Sequence, residues 1–328
     1  MIVAKLKLRC VIGNYESTRP LRERVVEADG VDFEFPHYPG YEDIHRQVAH
    51  DDICDVGEFN CPAYVAAASR DWSFTGLPLF LHRRFRHGFI FINKDKGISK
   101  PSDLAGKRIG CPIYQPAACV WLRGMLQNDY GVAPESVTWV TNDPEIIEFE
   151  RPSGLRIEKM RPAKNVDDMF THGEIDAIFS PNFPKAWLAK QPNIARLWPN
   201  FKELEVDWYN HTGLFPIMHC TIIKRDIVEK NPWVVKSLMD AFERSKQLAY
   251  KHLTNPRIVP LAWYQSYWEE ERAFLGPDPW EYGVASAANR KNVELICKYV
   301  HQQFMSTRLM QVDELWPKEV LNWQAPKN

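Results

Sequence analysis

Short apolar runs of strand character alternate with helical segments from residue 6 to residue 179, and this alternation most restricts the possible folds. The predicted strands are residues 6–12, 31–35, 53–58, 76–80, 88–93, 137–140, 175–179 and, further on, 219–223. Helical spacing is weak at 41–49 and clearer at 62–68, 117–130 and 166–172. Strands separated by helices of this length favour a parallel sheet in an α/β protein.

The segment 99–111 shows how the pattern repeats. Its Pro101-Ser102-Asp103-Leu104 predicts a single helical turn, Gly106 ends that turn, and a strand follows. The helix predicted at 117–130 ends at Gly131 in the same way. Residues 145–161 are polar and interrupted by Pro and Gly, which predicts an irregular excursion.

The last third of the chain is mostly helical in pattern. Asn231-Pro232 is a start signal, because Asn caps a helix and Pro fits its first turn. Residues 263–283 are dense in aromatics, Pro and Gly, which predicts an ordered loop or short helices. Two α/β units followed by helices predict a two-lobed clamshell with a C-terminal helical segment and a ligand cleft between the lobes. The predicted lobes are residues 1–92 plus 218–328, and residues 93–217.

Charge and composition exclude several classes of protein. The 41 Lys and Arg residues balance 42 Asp and Glu residues, so no basic excess favours a nucleic-acid partner. No apolar run is long enough for a membrane helix, and no secretory signal is recognisable. The seven cysteines are widely spaced and contain no C-x-x-C. They predict buried free thiols and a reducing compartment, hence a cytoplasmic protein.

The densest polar cluster is His82-Arg83-Arg84-Phe85-Arg86-His87, which stands between two apolar runs. Arginine forks fit planar carboxylates, and histidine can transfer protons near neutral pH. If the segment joins the two lobes, alternate side chains face the cleft. The alternative is a solvated basic loop.

A second group lies before and within the helix predicted at 117–130. Free N–H groups and the dipole at a helix start favour an anion, and Tyr114 and Gln115 add side-chain hydrogen bonds there. Arg123 follows on the same helix. Trp121 is either a core residue or a stacking wall for an aromatic ligand.

Two further candidates lie next to predicted strands. His219 enters the strand that would return to the first lobe, where it is either a structural histidine or a neighbour of the cleft. Glu16 and Arg19 belong to the loop after the first strand, and such loops face the ligand crevice in open α/β sheets.

Sequence motifs for other chemistries are missing. The histidine spacings fit no H-x-x-x-H or H-E-x-x-H metal site, and there is no Gly-rich phosphate loop and no G-x-S-x-G nucleophile elbow. We therefore expect neither a metal nor another cofactor.

Several blocks of sequence are distinctive when taken together. They are Leu77-Pro78-Leu79-Phe80, Arg84-x-Arg86-His87, Asp103-Leu104-x-Gly106-Lys107-Arg108-x-Gly110, Pro112-x-Tyr114-Gln115, Val120-Trp121-x-Arg123-Gly124, Gly173-Glu174-Ile175-Asp176-Ala177, Phe215-Pro216-Ile217-Met218-His219, Asn231-Pro232-Trp233 and Tyr282-Gly283-Val284. From about residue 6 to about residue 315, the chain resembles the 4,5-dihydroxyphthalate decarboxylase family, which is related to type II periplasmic solute-binding proteins. The resemblance implies the periplasmic-binding-protein-like clamshell fold and an aromatic carboxylate ligand.

The chain departs from the family pattern in two places. Pro116 and Ala117 follow Gln115 where the family has Met-Thr, and Pro181-Asn182 follow Ser180 where the family has Ser-x-Arg. Each change removes a carboxylate contact. We therefore expect this chain to keep the fold of the family but to act on a different substrate, for example a hydroxybenzoate with one carboxylate.

The resemblance implies decarboxylation without a cofactor. His87 or His219 would take a phenolic proton, and the other histidine, or Glu16, would protonate the ring carbon. We expect His87→Ala and His219→Ala each to lower turnover by about 10²-fold. The residues expected to bind the substrate are Arg19, Arg84, Arg86, Tyr114, Gln115, Trp121, Arg123 and Asn182.

Two other functions fit the same sequence. A solute-binding protein could hold an aromatic carboxylate or another small anion without chemistry, although the free-thiol pattern argues against a periplasmic carrier. The chain could also be another enzyme with this fold, such as a pyrimidine synthase of thiamine biosynthesis, but the distinctive sequence blocks quoted above do not resemble those enzymes. We expect a small-molecule partner and neither nucleic acid nor membrane. The aromatic residues of 263–280 fit a homo-oligomer contact or internal packing.

Overall fold

The computed structural model describes residues 4–36, 44–142, 144–160 and 165–326. Within these residues the strands form two sheets, one of five strands and one of six. In chain order the strands are β1 (Leu6–Val11), β2 (Val31–Glu34), β3 (Val56–Asn60), β4 (Phe74–Arg83), β5 (Ile90–Asn93), β6 (Arg108–Cys111), β7 (Thr138–Thr141), β8 (Arg156–Lys159), β9 (Ala177–Phe179), β10 (Ile194–Arg196) and β11 (Ile217–Lys224).

The five-stranded sheet has the order β2-β1-β3-β11-β4. β1 pairs in parallel with β2 and β3, whereas β11 is antiparallel to β3 and β4. β11 therefore returns from late in the chain and enters the first sheet between two early strands. His219 of β11 lies opposite Asn60 of β3 on one side and His82 of β4 on the other.

The six-stranded sheet has the order β10-β5-β9-β6-β7-β8. Its strands β9, β6, β7 and β8 are parallel, and β5 is antiparallel to β9 and β10. β5 and β9 are buried along their whole length, as expected for strands covered on both faces.

Helices cover both sheets and make up most of the last third of the described chain. They are α1 (Arg19–Arg22), α2 (Ile44–His50), α3 (Cys61–Ala68), α4 (Ala117–Tyr130), α5 (Val166–Thr171), α6 (Lys185–Leu188), α7 (Phe201–Thr212), α8 (Arg225–Lys230), α9 (Trp233–Leu253), α10 (Tyr264–Leu275) and α11 (Ala287–Gln302). Short 3₁₀ turns occupy His87–Phe89, Lys94–Lys96, Pro101–Leu104, Pro134–Ser136, Val312–Glu314 and Lys318–Val320. None of the helices in the described ranges has both the length and the apolar character needed to cross a membrane.

Local chemistry explains where several helices begin and end. The Asn60 side chain accepts the N–H of Ala63 at the start of α3, and the Ser286 side chain accepts the N–H of Asn289 at the start of α11. α4 ends at Gly131, whose φ of 70° is a left-handed conformation that glycine adopts without steric cost.

Most predicted elements are confirmed, including the short-helix alternative for residues 263–283, and one segment differs from its prediction. Residues 145–161 are not wholly irregular, because β8 pairs there with β7 at the sheet edge. Its polar sequence gave no sign of the strand, because three of its four side chains are exposed. Residues 263–283 contain the three-turn helix α10. The predicted helix 41–49 is described only from Ile44, because residues 41–43 lie outside the described residues.

The chain passes between the two sheets at residues 84–89 and again at 213–216. These crossings run side by side, because the Arg84 N–H donates to the Pro216 carbonyl at 3.1 Å and the Arg83 side chain donates to the Phe215 carbonyl at 3.0 Å. The predicted lobe boundary between residues 92 and 93 falls inside β5 of the second sheet. The assignment of whole residue ranges to lobes stays a prediction.

All seven cysteines are buried and free, which confirms the expectation of unpaired core thiols. Burial raises the pKa of Cys10, Cys54 and Cys297. These side chains therefore stay protonated and pack as small apolar groups.

The closest approach of α4 and α11 depends on Gly124. A Cβ atom there would lie 2.1 Å from Cδ2 of the buried Tyr299 ring. We expect Gly124→Ala to lower the free energy of unfolding by about 1–3 kcal/mol, because the ring has to move in a packed core. Urea denaturation measures the change.

Gly154→Ala is the matched control for this prediction. Its Cβ would meet only the Glu135 side chain, at an ordinary 3.9 Å, so the stability should stay within about 0.5 kcal/mol of wild type. Equal stability of Gly124→Ala and wild type would contradict the proposed close packing of α4 on α11.

Candidate active site

A buried carboxylate in β3 organises the centre of the site. One oxygen of Glu58 accepts the Gly13 N–H at 2.8 Å, and the other accepts the Tyr15 hydroxyl at 2.8 Å and faces Nδ1 of His219 at 2.5 Å. Glu58 and His219 meet because β3 and β11 are antiparallel neighbours and the two residues are diagonal in their register. Three donors thus satisfy a carboxylate that has little contact with water.

Two further histidine rings surround His219. The centroid of the His45 ring, on α2, lies 4.7 Å from that of His219, and the centroid of the His82 ring, on β4, lies 4.9 Å from it. Both contacts are edge-on. The Nδ1 atoms of His45 and His82 are buried and have no hydrogen-bond partner among the described residues. Three imidazoles and one carboxylate therefore share a single region of the first sheet.

Burial keeps these imidazoles neutral. It lowers the pKa of His219 to about 3, that of His45 to about 3 and that of His82 to about 2. The positive charge of Arg86 lowers the pKa of His219 and His82 further, while Glu58 acts in the opposite direction on His45 and His82 without reversing the shift. A neutral His219 that donates Nδ1–H to Glu58 has its Nε2 lone pair available to accept a proton.

Arg86 is a buried cation without a carboxylate partner among the described residues. Its Nε–H points to the Met218 sulfur at 3.2 Å, and its guanidinium lies 4.9 Å from the centroid of the Phe89 ring. Burial lowers the pKa of Arg86 to about 9. The side chain belongs to the first crossing between the sheets, and its charge acts on His82 and His219.

The structure places His87 in a different environment. Its ring packs on Trp198 and Trp208, and its Nδ1 lies 3.8 Å from a carboxylate oxygen of Glu205 on α7. Burial lowers the pKa of His87 to about 4 and raises the pKa of Glu205 to about 7. At neutral pH His87 is therefore an uncharged ring in an aromatic pocket.

Glu16 and Arg19 turn toward α9 rather than toward His219. The Glu16 carboxylate lies 3.1 Å from the Arg19 guanidinium, and both contact the His252 ring, at 3.3 Å and 2.7 Å. The loop after β1 instead supplies Tyr15 to the site. This loop therefore does reach the site, but through Tyr15 rather than through Glu16 or Arg19.

Trp121 and Arg123 are structural residues of α4. Trp121 is buried and donates its indole N–H to the Ile217 carbonyl at 2.8 Å, in agreement with the core alternative. Arg123 is also buried; it donates to Gln303 at 2.7 Å and lies 3.7 Å from the centroid of the Tyr114 ring. These contacts hold α4 against β11 and the C-terminal segment.

The predicted anion position at the start of α4 is filled by the chain itself. The Glu145 carboxylate accepts the N–H groups of Tyr114, at 2.8 Å and 3.0 Å, and of Gln115, at 3.2 Å. The Gln115 side chain is bonded to the main chain of Ile147. The Tyr114 ring stacks on Phe149. Both predicted binding side chains thus pack against residues 145–149.

Arg84 and Asn182 are exposed. Arg84 donates its main-chain N–H to the Pro216 carbonyl, and its charge lowers the pKa of His82 and Arg86. Asn182 lies in the turn after β9, where its main-chain N–H donates to the Ser180 hydroxyl at 3.2 Å. Arg84 is therefore close to the site electrostatically, whereas no recorded contact joins Asn182 to it.

The residues missed by the sequence pattern are Glu58, Tyr15, His45 and Glu145. Glu58 stands in a run that reads as an ordinary strand, and only the pairing of β3 with β11 brings it to His219. A carboxylate inside a buried strand was the available signal, because such a group needs a partner. Within the described ranges, no group of three or more His, Cys, Asp or Glu side chains has metal-site geometry.

Comparison with known proteins gives relatives over the whole chain. A family model described as "NMT1/THI5 like" matches residues 27–149. A 4,5-dihydroxyphthalate decarboxylase of Comamonas testosteroni is 32% identical over 324 residues, which are 96% of this chain and 97% of that protein. A protein of the same name from Pseudomonas putida is 34% identical over 216 residues, which are 64% of this chain and 83% of that protein.

Solved structures with this fold include binding proteins and an enzyme. The alkanesulfonate-binding protein SsuA of Xanthomonas axonopodis pv. citri, bound to MOPS, has a TM-score of 0.55 at 15% identity and covers 96% of this chain and 98% of its own. The desulfurization enzyme DSZB has a TM-score of 0.50 at 13% identity, with 97% and 98% covered. These similarities concern the fold alone, and they confirm the predicted two-lobed, periplasmic-binding-protein-like architecture.

The neutral buried histidines make stability depend on pH. An unfolded His82 binds a proton below about pH 6.5, whereas the folded one, with its pKa lowered by burial to about 2, does not. Its contribution to stability is therefore complete above pH 6.5 and is lost on acidification. Between pH 7.5 and 5.0, His82→Phe should lose about 2 kcal/mol less unfolding free energy than wild type.

His301→Phe makes the same replacement at an exposed position of α11 and is the control. Urea denaturation at both pH values measures the difference. If His82→Phe lost as much stability on acidification as wild type, His82 would not be held neutral by burial.

Proposed function

Because this chain belongs to the 4,5-dihydroxyphthalate decarboxylase family, we propose that it decarboxylates a hydroxylated aromatic carboxylic acid, 4,5-dihydroxyphthalate or a related hydroxybenzoate, without a cofactor. The observation that carries this proposal is the hydrogen-bonded His219–Glu58 pair, together with the buried Arg86 cation whose side chain contacts Met218, the residue before His219, and whose charge lowers the pKa of His219. An anion binder and a proton acceptor beside each other are what this reaction requires.

Arg86 is the proposed carboxylate-binding residue. A buried guanidinium is costly unless an anion accompanies it, and a planar carboxylate can accept two parallel hydrogen bonds from its fork. Its direct contacts in the described residues are a thioether and an aromatic ring. The Glu205 carboxylate acts on its charge without forming an ion pair, so the position of a direct partner is left to a ligand. Exposed Arg84 would add positive charge at the entrance and attract the acid.

His219 is the proposed base. Its Nε2 would take the proton of a ring hydroxyl ortho or para to the carboxylate, while Glu58 stabilises the imidazolium that forms. Electron density then flows into the ring, the carbon bearing the carboxylate takes up a proton drawn from solvent, and its bond to the carboxylate breaks to release carbon dioxide. The phenolate recovers its proton from His219, so one proton is consumed for each carbon dioxide released.

Contacts between the two sheets would exclude water during these steps. The Asn60 amide donates to the Gln115 carbonyl at 3.2 Å, and the His50 ring bonds the Ile146 carbonyl at 2.8 Å. Both join the first sheet and its helices to the second. A dry site strengthens the Arg86 interaction and removes the hydration that stabilises a free carboxylate.

The second candidate function is binding without chemistry. The fold shared with the SsuA proteins favours it, and the same Arg86 would hold an aromatic carboxylate or another small anion. Carbon dioxide release separates the two functions. We also propose a cytoplasmic location, which the free and buried cysteines support.

Arg86→Gln tests the carboxylate site. Purified protein is incubated with 4,5-dihydroxyphthalate and a panel of hydroxybenzoates, and carbon dioxide release is followed. We expect the substitution to lower kcat/KM at least 10²-fold, because the anion loses its charged partner. Arg308→Gln, on an exposed arginine, is the control and should keep wild-type activity. Carbon dioxide release at the wild-type rate by Arg86→Gln would contradict the proposed role.

His219→Ala and Glu58→Gln test the proton acceptor. Both should lower kcat at least 10²-fold with a smaller effect on KM, because the base and its orienting carboxylate act on the chemical step. His87→Ala is measured beside them, since its ring contacts tryptophans rather than Glu58. A loss of kcat in His87→Ala with none in His219→Ala would place the base at His87 instead.

A further inference from the structure

We propose that Glu145 restricts this site to aromatic acids that carry a single carboxylate. This inference rests on the proposed decarboxylation and narrows its substrate class. It starts from the fact that a carboxylate of the chain already occupies the main-chain N–H groups before α4.

Those N–H groups are the donors best placed to receive a second substrate carboxylate. α4 is a 14-residue helix, and its N-terminal end attracts negative charge. Glu145 accepts from Tyr114 with both oxygens and from Gln115 with one. A substrate carboxylate could bind there only by displacing Glu145.

Arg123 gives an independent indication that this position is built for one anion. Its side chain is buried, and its Nη1 has no hydrogen-bond partner among the described residues. Burial raises the pKa of Glu145, while the N–H groups of Tyr114 and Gln115 and the positive charge of Arg123 act in the opposite direction. A helix end and a buried guanidinium thus stabilise the same carboxylate.

The segment 145–149 is held too firmly for Glu145 to leave easily. The Gln115 side-chain amide donates to the Ile147 carbonyl and accepts the Ile147 N–H. The His50 ring bonds the Ile146 carbonyl, and Phe149 stacks on Tyr114 with centroids 5.6 Å apart. Displacement of Glu145 would break several of these contacts together.

Glu145 is also close enough to the site to affect a ligand. The Gln115 residue that donates its N–H to Glu145 accepts a hydrogen bond from Asn60, which is paired with His219 in the sheet. A ring bound between Arg86 and His219 would bring an ortho carboxylate toward the negative charge of Glu145, and like charges in a low-dielectric region repel strongly.

Two ligands that differ by one carboxylate test this inference. Calorimetry measures the Kd of 3,4-dihydroxybenzoate and of 4,5-dihydroxyphthalate with three proteins that differ at position 145: wild type, Glu145→Gln and Glu145→Ala. All three carry His219→Ala, so that the dicarboxylate is not converted into the monocarboxylate during the titration. We expect wild type to bind the monocarboxylate at least tenfold more tightly. Glu145→Gln keeps the shape and removes the charge, so it should shift the ratio of the two Kd values at least tenfold toward the dicarboxylate.

Glu148→Gln removes an exposed carboxylate from the same segment and should leave that ratio unchanged. Equal binding of both acids by wild type, or an unchanged ratio in Glu145→Gln and Glu145→Ala, would overturn the role of Glu145. If wild type nevertheless releases carbon dioxide, the proposed decarboxylation stands. Binding of neither acid, with no release of carbon dioxide, would overturn both.

Discussion

The arrangement of the site depends on the burial of the Glu58 carboxylate. A carboxylate removed from water is strongly unfavourable unless donors surround it. Gly13 and Tyr15 supply two of those donors from the loop after β1, and His219 supplies the third from β11, while the carboxylate itself belongs to β3. The carboxylate therefore fixes three distant parts of the chain around one point, and it determines which nitrogen of His219 carries the proton. Because Nδ1 of His219 donates its proton to Glu58, Nε2 is the nitrogen that can accept a proton from a ligand.

Two nearby arginines, Arg83 and Arg86, are equally buried but differ in their hydrogen-bond partners. Arg83 is buried, and both of its terminal nitrogens are bonded: they donate to the Phe215 and Glu281 carbonyls and to Asn289 at 2.6–3.0 Å. Arg86, three residues later, is equally buried but faces sulfur and an aromatic ring. Arg83 joins the crossings between the sheets, whereas Arg86 carries into the site a charge that no ion pair within the described residues neutralises; only the electrostatic effect of Glu205 is recorded there. Residues 83–86 thus serve two purposes: Arg83 helps to hold the two sheets together, and Arg86 is available to bind an anion.

The sequence pattern predicts elements better than it predicts partners. The apolar run at 62–68 locates α3, and the apolar spacing of 117–130 with Gly131 at its end locates α4, because these signals act within a few residues. His219 stands out for its position at a strand start. Glu58 does not, since its partner is 161 residues away and only the order of β3 and β11 brings them together. Glu145 lies in a polar segment whose role depends on the N–H groups of another element.

The same limit explains the residues that turned out to be structural. Trp121 and Arg123 have the chemistry of ligand contacts, but a helix has several faces, and packing against β11 and α11 decides which one they occupy. Residue type shows what a side chain can do; burial and neighbours show what it is used for.

The most direct measurement is to carry out the reaction in D₂O and to analyse the product by NMR and mass spectrometry. The account predicts carbon dioxide release from a hydroxylated aromatic acid, with one deuterium at the ring carbon that carried the carboxylate. This result requires a protein that protonates the ring as the carboxylate leaves. Tight binding of these acids with neither carbon dioxide nor deuterated product would contradict it, and would make the chain a binding protein.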